Sequence, residues 1–279
     1  MIMVQFSDNE IQVLGQPVKR SPKKWIWLIP LFLIGGISFV WLLLSVFPKE
    51  KTIDLRDFKT ELNVPVKGEP MFIESGIEHY SVVENDVSMY VFHLIDMTAE
   101  LNTDAGKYTD DTECLIVQAA DIRKDNGKFV GDFVLNGKRL SSGKSKKGYC
   151  AIVDGRVTIG MGTDDGVMNQ CIANGGSFFR QYPLVSKGIM QENELKGKSI
   201  RRALALKGDK LYVFETEYRE SMHDFAEALQ DMGVTEAISL VGGNKAYMYW
   251  LQDDELYESY DLSEVKNNNF IVFKTKGKQ

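Results

Sequence analysis

The chain has 279 residues, 44% of them hydrophobic, which suits one membrane segment and one sizeable core domain. The formal charge is −6. Residues 1–47 carry four basic and two acidic residues, which leaves 29 basic against 37 acidic, a net −8, for the remainder. An acidic body without a basic, aromatic-interleaved cluster excludes a nucleic-acid partner, because phosphate neutralisation dominates such binding.

Residues 1–24 have little periodicity and contain Pro17 and Pro22, so they read as a flexible cytoplasmic tail. Trp25 to Phe47 is an uncharged apolar run long enough to span a bilayer, with Trp25, Trp27 and Trp41 suited to interfacial positions. The run is too long for a signal-peptide core, and no small-x-small site precedes Pro48, so a retained anchor is expected. Lys19, Arg20, Lys23 and Lys24 crowd its N-terminal side, whereas Lys49, Lys51 and Arg56 are mixed with Glu50, Asp54 and Asp57. The positive-inside rule then places the N-terminus in the cytoplasm and the C-terminal domain outside the cytoplasmic (inner) membrane, in the periplasm or beyond. Residues 48–70 read as a linker with a short helix around Leu55–Leu62, and residues 71–279 as the extracytoplasmic domain.

Within that domain, 77–83 and 88–95 flank Glu84-Asn85-Asp86, a hairpin signal. His79 and His93 are isolated strand histidines without metal-ligand spacing. Asn102 to Glu113 is a polar loop, and Leu115 to Ala120 is an apolar strand. Asp154-Gly155 is a hairpin turn between apolar runs. Cys114, Cys150 and Cys171 sit in apolar contexts, which favours buried thiols over a disulfide.

Lys198 to Leu251 carries the densest pattern. Arg201 and Arg202 lead into an apolar strand, Gly208-Asp209 turns the chain, and Leu211 to Phe214 is a second strand. Ser221 opens a helix with Asp224 at capping spacing; Phe225, Ala228, Leu229 and Met232 form one apolar face, and Gly233 ends it. Ala237 to Val241 is a strand, and Gly242 to Lys245 turns the chain into the strand Ala246–Leu251. Phe270 to Lys274 is a closing strand. Many strands and few helices predict an α+β domain with a mixed, largely antiparallel sheet, preceded by one transmembrane helix.

The paired arginine, the Ser-capped helix ending in Met-Gly-Val, and the stretch from Ala237 to Asn244 resemble the C-terminal half of the phosphodiester glycosidase family. Phe133 to Lys138 and Pro183-Leu184-Val185 with Gly188 extend the similarity across most of the domain, about Ile77 to Trp250. The family pattern ends in Leu-Asp-Gly-Gly-Gly-Ser. This chain keeps Leu240, Gly242 and Gly243, and carries Val241, Asn244 and Lys245 at the other positions. The family's Asn-Gly-x-Phe-Phe signature is also missing after the Leu115–Ala120 strand, where the chain reads Ala119-Ala120-Asp121-Ile122. Asn174 to Phe179 looks similar to that signature but stands in the position of a different loop.

The resemblance implies a site for a phosphodiester, which needs donors for its oxygens and an acid/base group. Arg202 is the candidate phosphate fork, Gly242 and Gly243 a backbone N–H nest, and Asn244 and Lys245 further ligand contacts. Glu215 and Glu217 alternate on one strand face, and Glu217 is the candidate acid/base. The structural alternatives are an Arg202 pair with Glu217 or Asp209 and a plain hairpin at Gly242-Gly243. Val241 can neither accept a proton nor fix a sugar hydroxyl, so the expected function is a degenerate site that binds glycan or sugar phosphate, or a scaffold for cell-envelope assembly with protein partners. The other expectation is an active hydrolase of sugar-1-phosphodiesters or exported polysaccharide. The sequence holds no cofactor motif, so none is expected.

Overall fold

The computed structural model describes residues 75–105, 114–193, 195–252, 255–265 and 268–275. The expected tail, membrane helix, linker and its short helix lie outside the described residues, as do residues 276–279. Among the described residues no helix is long and apolar enough to cross a membrane.

Seventeen described strands form three sheets. The first has seven. In spatial order they are β1 (Gly76–Glu84), β2 (Val87–Ile95), β13 (Lys210–Thr216), β12 (Arg202–Lys207), β14 (Glu236–Leu240), β10 (Pro183–Ser186) and β11 (Ile189–Met190). The second runs β16 (Glu255–Glu258), β15 (Met248–Gln252), β4 (Cys114–Gln118), β17 (Phe270–Thr275) and β3 (Met97–Asn102). The third runs β6 (Lys138–Ser141), β5 (Phe133–Leu135), β9 (Ser177–Gln181), β7 (Gly148–Val153) and β8 (Arg156–Met161). All pairings between these strands are antiparallel, so the parallel component of the expected mixed sheet does not occur among them.

Turn chemistry explains the local hairpins. Asn85-Asp86, Asn136-Gly137, Asp154-Gly155 and Lys187-Gly188 each place two residues at positive φ, the geometry whose twist matches a two-residue hairpin. All three sheets contribute one face to a common core; Phe92 and Leu204, Leu115 and Ile271, and Phe133 and Phe179 belong to it. Cys114, Cys150 and Cys171 are buried thiols with no disulfide.

Two helices cover outer faces. Helix α1 (Gly166–Ala173) buries Met168 and Cys171 against Val134, Ala151 and Phe178. Its sequence hides it: it starts on glycine, and Asp165 makes no side-chain cap bond. Helix α2 (Met222–Asp231) is the one the sequence specifies. Ser221 Oγ accepts the Asp224 N–H at 3.0 Å, and Gly233 takes φ +80° after the last turn. Its buried Phe225, Ala228 and Leu229 pack on Ala203, Ala205 and Phe214 of the first sheet. Leu229 is fully buried there, so Leu229→Ala is expected to cost about 2–5 kcal/mol in urea unfolding. An unchanged midpoint would remove Leu229 from this cluster.

One of the structural alternatives does not hold. Gly242 to Lys245 does not close a hairpin, because β14 pairs with β12 and β10 whereas β15 pairs with β4 and β16. The turn carries the chain from the first sheet to the second. Asp96, at φ +48°, makes the same transfer between β2 and β3.

Candidate functional site

The site lies where the first two sheets meet. Across the first sheet, Arg202 stands opposite Glu215 on one side and Leu240 on the other, and Glu215 stands opposite Tyr90. Strand alternation puts these side chains on the core-facing side, in line with Leu204, Val213 and Phe92. Beyond them the core opens into a cavity of about 450 Å³.

Arg202 forms its floor and ties the sheets together. Its Nε donates to Glu215 Oε2 in an ion pair, its Nη1 to the Tyr247 carbonyl at 2.9 Å, and its Nη2 to Ser259 Oγ at 3.3 Å. The Tyr257 hydroxyl donates to Glu215 Oε1 at 3.2 Å. Burial, and then the Glu215 charge, push that hydroxyl up to about 12, so Tyr257 stays a neutral donor. Ser259 Oγ in turn accepts the Met248 N–H and donates to the Ala246 carbonyl.

The glycine turn is fixed by close backbone approach. A Cβ on Gly242 would stand 2.4 Å from the Ile200 carbonyl oxygen, which also accepts the Gly243 N–H at 2.9 Å. The Gly243 N–H is therefore occupied by the protein, against its expected place in an anion nest. Of the residues singled out in the sequence, Arg202, Glu215, Glu217, Gly243 and Asn244 line the cavity, and Gly242 and Lys245 do not. Arg202 is buried and pairs with Glu215 rather than with Glu217 or Asp209. Glu217 follows the end of β13 and is exposed, and its N–H donates to the Ser88 carbonyl.

Sequence reasoning missed Tyr90, Arg219, Tyr257 and Ser259 in the lining. Tyr90 carried a usable signal, a polar-tipped residue at an inward position of β2. Tyr257 and Ser259 carried none, because the pairing of β16 with β15 brings them in.

The two loops with altered motifs lie side by side. Gln118 at the end of β4 donates its N–H to the Tyr247 carbonyl at 3.3 Å and accepts the Tyr247 N–H at 2.8 Å. Buried amides hold the chain beyond: Ala120 exchanges two bonds with the Asn269 side chain, and Gln181 Nε2 donates to the Ala119 carbonyl. Buried Lys146 bonds Asp121 and Gln181; its burial lowers the ammonium pKa, and Asp121 offsets part of that. Asn174 to Ser177, by contrast, packs on the Asn136-Gly137 turn, where Gly137 N–H donates to the Gly176 carbonyl.

A phosphodiester glycosidase profile matches residues 104–274, well over half of the sequence. The chain belongs to the phosphodiester glycosidase family. The fold agrees. The catalytic domain of zebrafish N-acetylglucosamine-1-phosphodiester alpha-N-acetylglucosaminidase, auto-inhibited by its pro-peptide, superposes with a TM-score of 0.51 at 16% identity. That likeness covers 73% of this chain and 83% of the zebrafish one. A hypothetical protein from Synechocystis superposes with a TM-score of 0.53 at 11% identity, over 71% of this chain and 61% of that one. No curated protein matches the sequence. In this phosphodiester glycosidase domain Val241 follows Leu240 at the end of β14, two residues before Gly243 in the cavity lining.

Proposed function

We propose that this chain is a membrane-anchored, extracytoplasmic member of the phosphodiester glycosidase family that binds a glycan or sugar phosphate in the cavity without hydrolysing it, in cell-envelope assembly. The observation that carries this reading is the commitment of Arg202. Transition-state stabilisation needs donors aimed at the reacting phosphate. Here Glu215, Tyr247 and Ser259 take three of the guanidinium's five N–H donors. Glu215, the other charged group of the floor, is held by Arg202 and Tyr257. The exposed groups at the rim, Glu217, Arg219 and Asn244, suit binding of a polar ligand.

Incubation with an N-acetylglucosamine-1-phosphodiester, the substrate class in the zebrafish enzyme's name, tests the reading. We expect saturable binding that weakens about tenfold or more in Asn244→Ala or Arg219→Ala, and no turnover. Turnover abolished by Glu217→Gln would establish the alternative, an active hydrolase with Glu217 as its acid/base.

The anchoring part of the proposal rests on the Trp25–Phe47 run and its flanking charges. Protease added to spheroplasts is expected to digest the domain, and complete protection behind intact membranes would reverse the orientation.

A further inference from the structure

We propose that the polar cavity takes a zwitterionic ligand, a phosphodiester whose phosphate joins a sugar to an alkylammonium alcohol of the choline or ethanolamine class. This rests on the reading of that cavity as a glycan-phosphate site. Its lining holds two guanidinium groups, Arg202 and Arg219, and two carboxylates, Glu215 and Glu217, so the charges cancel. A dianionic terminal phosphate would bring net charge into a protein-walled site, which is costly, whereas a phosphodiester with an attached cation is neutral overall. Arg202 and Glu215 neutralise each other at the floor. One charge of each sign is left at the rim, Glu217 and Arg219.

The two rim charges are presented differently. Arg219 Nε and Nη2 both donate to the Lys198 carbonyl, at 3.3 and 3.2 Å. That fixes the guanidinium with two of its five N–H donors and leaves the others for phosphate oxygens. Glu217 makes no ion pair among the described residues; Arg202 pairs with Glu215, and Lys198 with Glu220. The Glu217 N–H bond to the Ser88 carbonyl sets this residue beside β2, whose Tyr90 lies two residues on. Three phenol rings share the lining with it, Tyr90, Tyr218 and Tyr257. Hydrogen bonding to Glu217 raises the Tyr218 hydroxyl, and Tyr90 adds to the upward shift of both Tyr218 and Tyr257, so the three rings and the carboxylate are neighbours. A carboxylate among phenol faces recognises an alkylammonium, because the ring quadrupole and the anion both attract a cation whose methyl or methylene surface packs on the rings. A second sugar ring would stack on the same phenols but would leave Glu217 without a charge partner. A further anionic group on the ligand would be repelled by Glu217.

Two diesters of N-acetylglucosamine 1-phosphate test this, one with choline and one with 3,3-dimethylbutanol, which differ only by a carbon in place of the charged nitrogen. Calorimetric titration of the full chain is expected to show the choline diester binding about tenfold or more tightly. Glu217→Gln and Tyr218→Leu, both at exposed positions, should each shrink that preference to about threefold or less. Equal binding of the two diesters would overturn the proposal and leave the phosphate reading of the cavity standing. A preference that survives both substitutions, or a Glu217→Gln variant that weakens the two diesters equally, would also overturn it. Binding of neither diester would sink both readings. Free choline binding as tightly as its diester would support the cation subsite and count against the phosphate. Glycerophosphocholine separates the two sources of this group: binding as tight as that of the sugar diester would place a lipid-type headgroup in the cavity and overturn the sugar part of the proposal.

Discussion

Asp132→Asn is expected to destabilise the domain by about 3–5 kcal/mol, because it leaves a buried guanidinium without its counter-charge. Asp132 and Arg180 are both fully buried, and Arg180 Nε donates to Asp132 Oδ2 at 2.6 Å. The other carboxylate oxygen accepts Arg139 Nη2 at 2.6 Å and the Gly143 N–H at 3.0 Å. Arg180 also donates to the Gly162 and Asp164 carbonyls, so one ion pair holds three loops of the third sheet. Asn would present an amide N–H to at least one of these donors. Arg139→Ala should cost about 1 kcal/mol or less, since that side chain is 40% exposed and solvent screens its charge. Burial alone would raise the Asp132 pKa, but the bonds from Arg180, Gly143 and Arg139 outweigh it and lower the pKa. A depressed carboxylate contributes stability above its unfolded pKa of about 3.9 and loses it as pH falls through the folded value. The gap between wild type and Asp132→Asn in urea unfolding should therefore be full at neutral pH and shrink below about pH 4. A gap that does not depend on pH would assign the effect to packing.

Arg202→Met should be comparably costly, about 3–5 kcal/mol, for the same reason at a different place: Glu215 would be left charged and buried. The substitution also removes the donors to Tyr247 and Ser259, which bridge the first and second sheets. A double variant, Arg202→Met with Glu215→Leu, is expected to recover most of the loss, because two apolar side chains replace a pair whose attraction mainly repaid its desolvation. Arg202 also draws the Tyr257 titration downward, so the Tyr257 hydroxyl should titrate at higher pH in Arg202→Met; phenolate absorbance of single-tyrosine variants checks this. A single variant as stable as wild type would mean that the guanidinium is free for ligand, and would revive the catalytic reading of the floor.

Where signals are local, the sequence was legible. Two-residue turns such as Asp154-Gly155 set their hairpins because those residues tolerate positive φ. Helix α2 was readable from Ser221, the Phe225–Leu229 face and Gly233, since cap and stripe both act within a few residues. The family was readable too, from motif order along the chain. What the sequence could not decide was which strand leaves for which sheet. The Gly242–Lys245 turn looks like a hairpin, yet β15 pairs with β4, whose Gln118 meets Tyr247 across 129 residues of chain. β17, at the end of the described chain, lies between β4 and β3 inside its sheet. The partner of Arg202 was equally invisible, because Glu215, Glu217 and Asp209 are all near in sequence and only the β12–β13 register sets Glu215 opposite. Turns and caps are decided by the torsional and hydrogen-bonding preferences of neighbouring residues. Sheet membership, ion-pair choice and the walls of the cavity are decided by contacts between distant segments, which form once a shared core has brought those segments together.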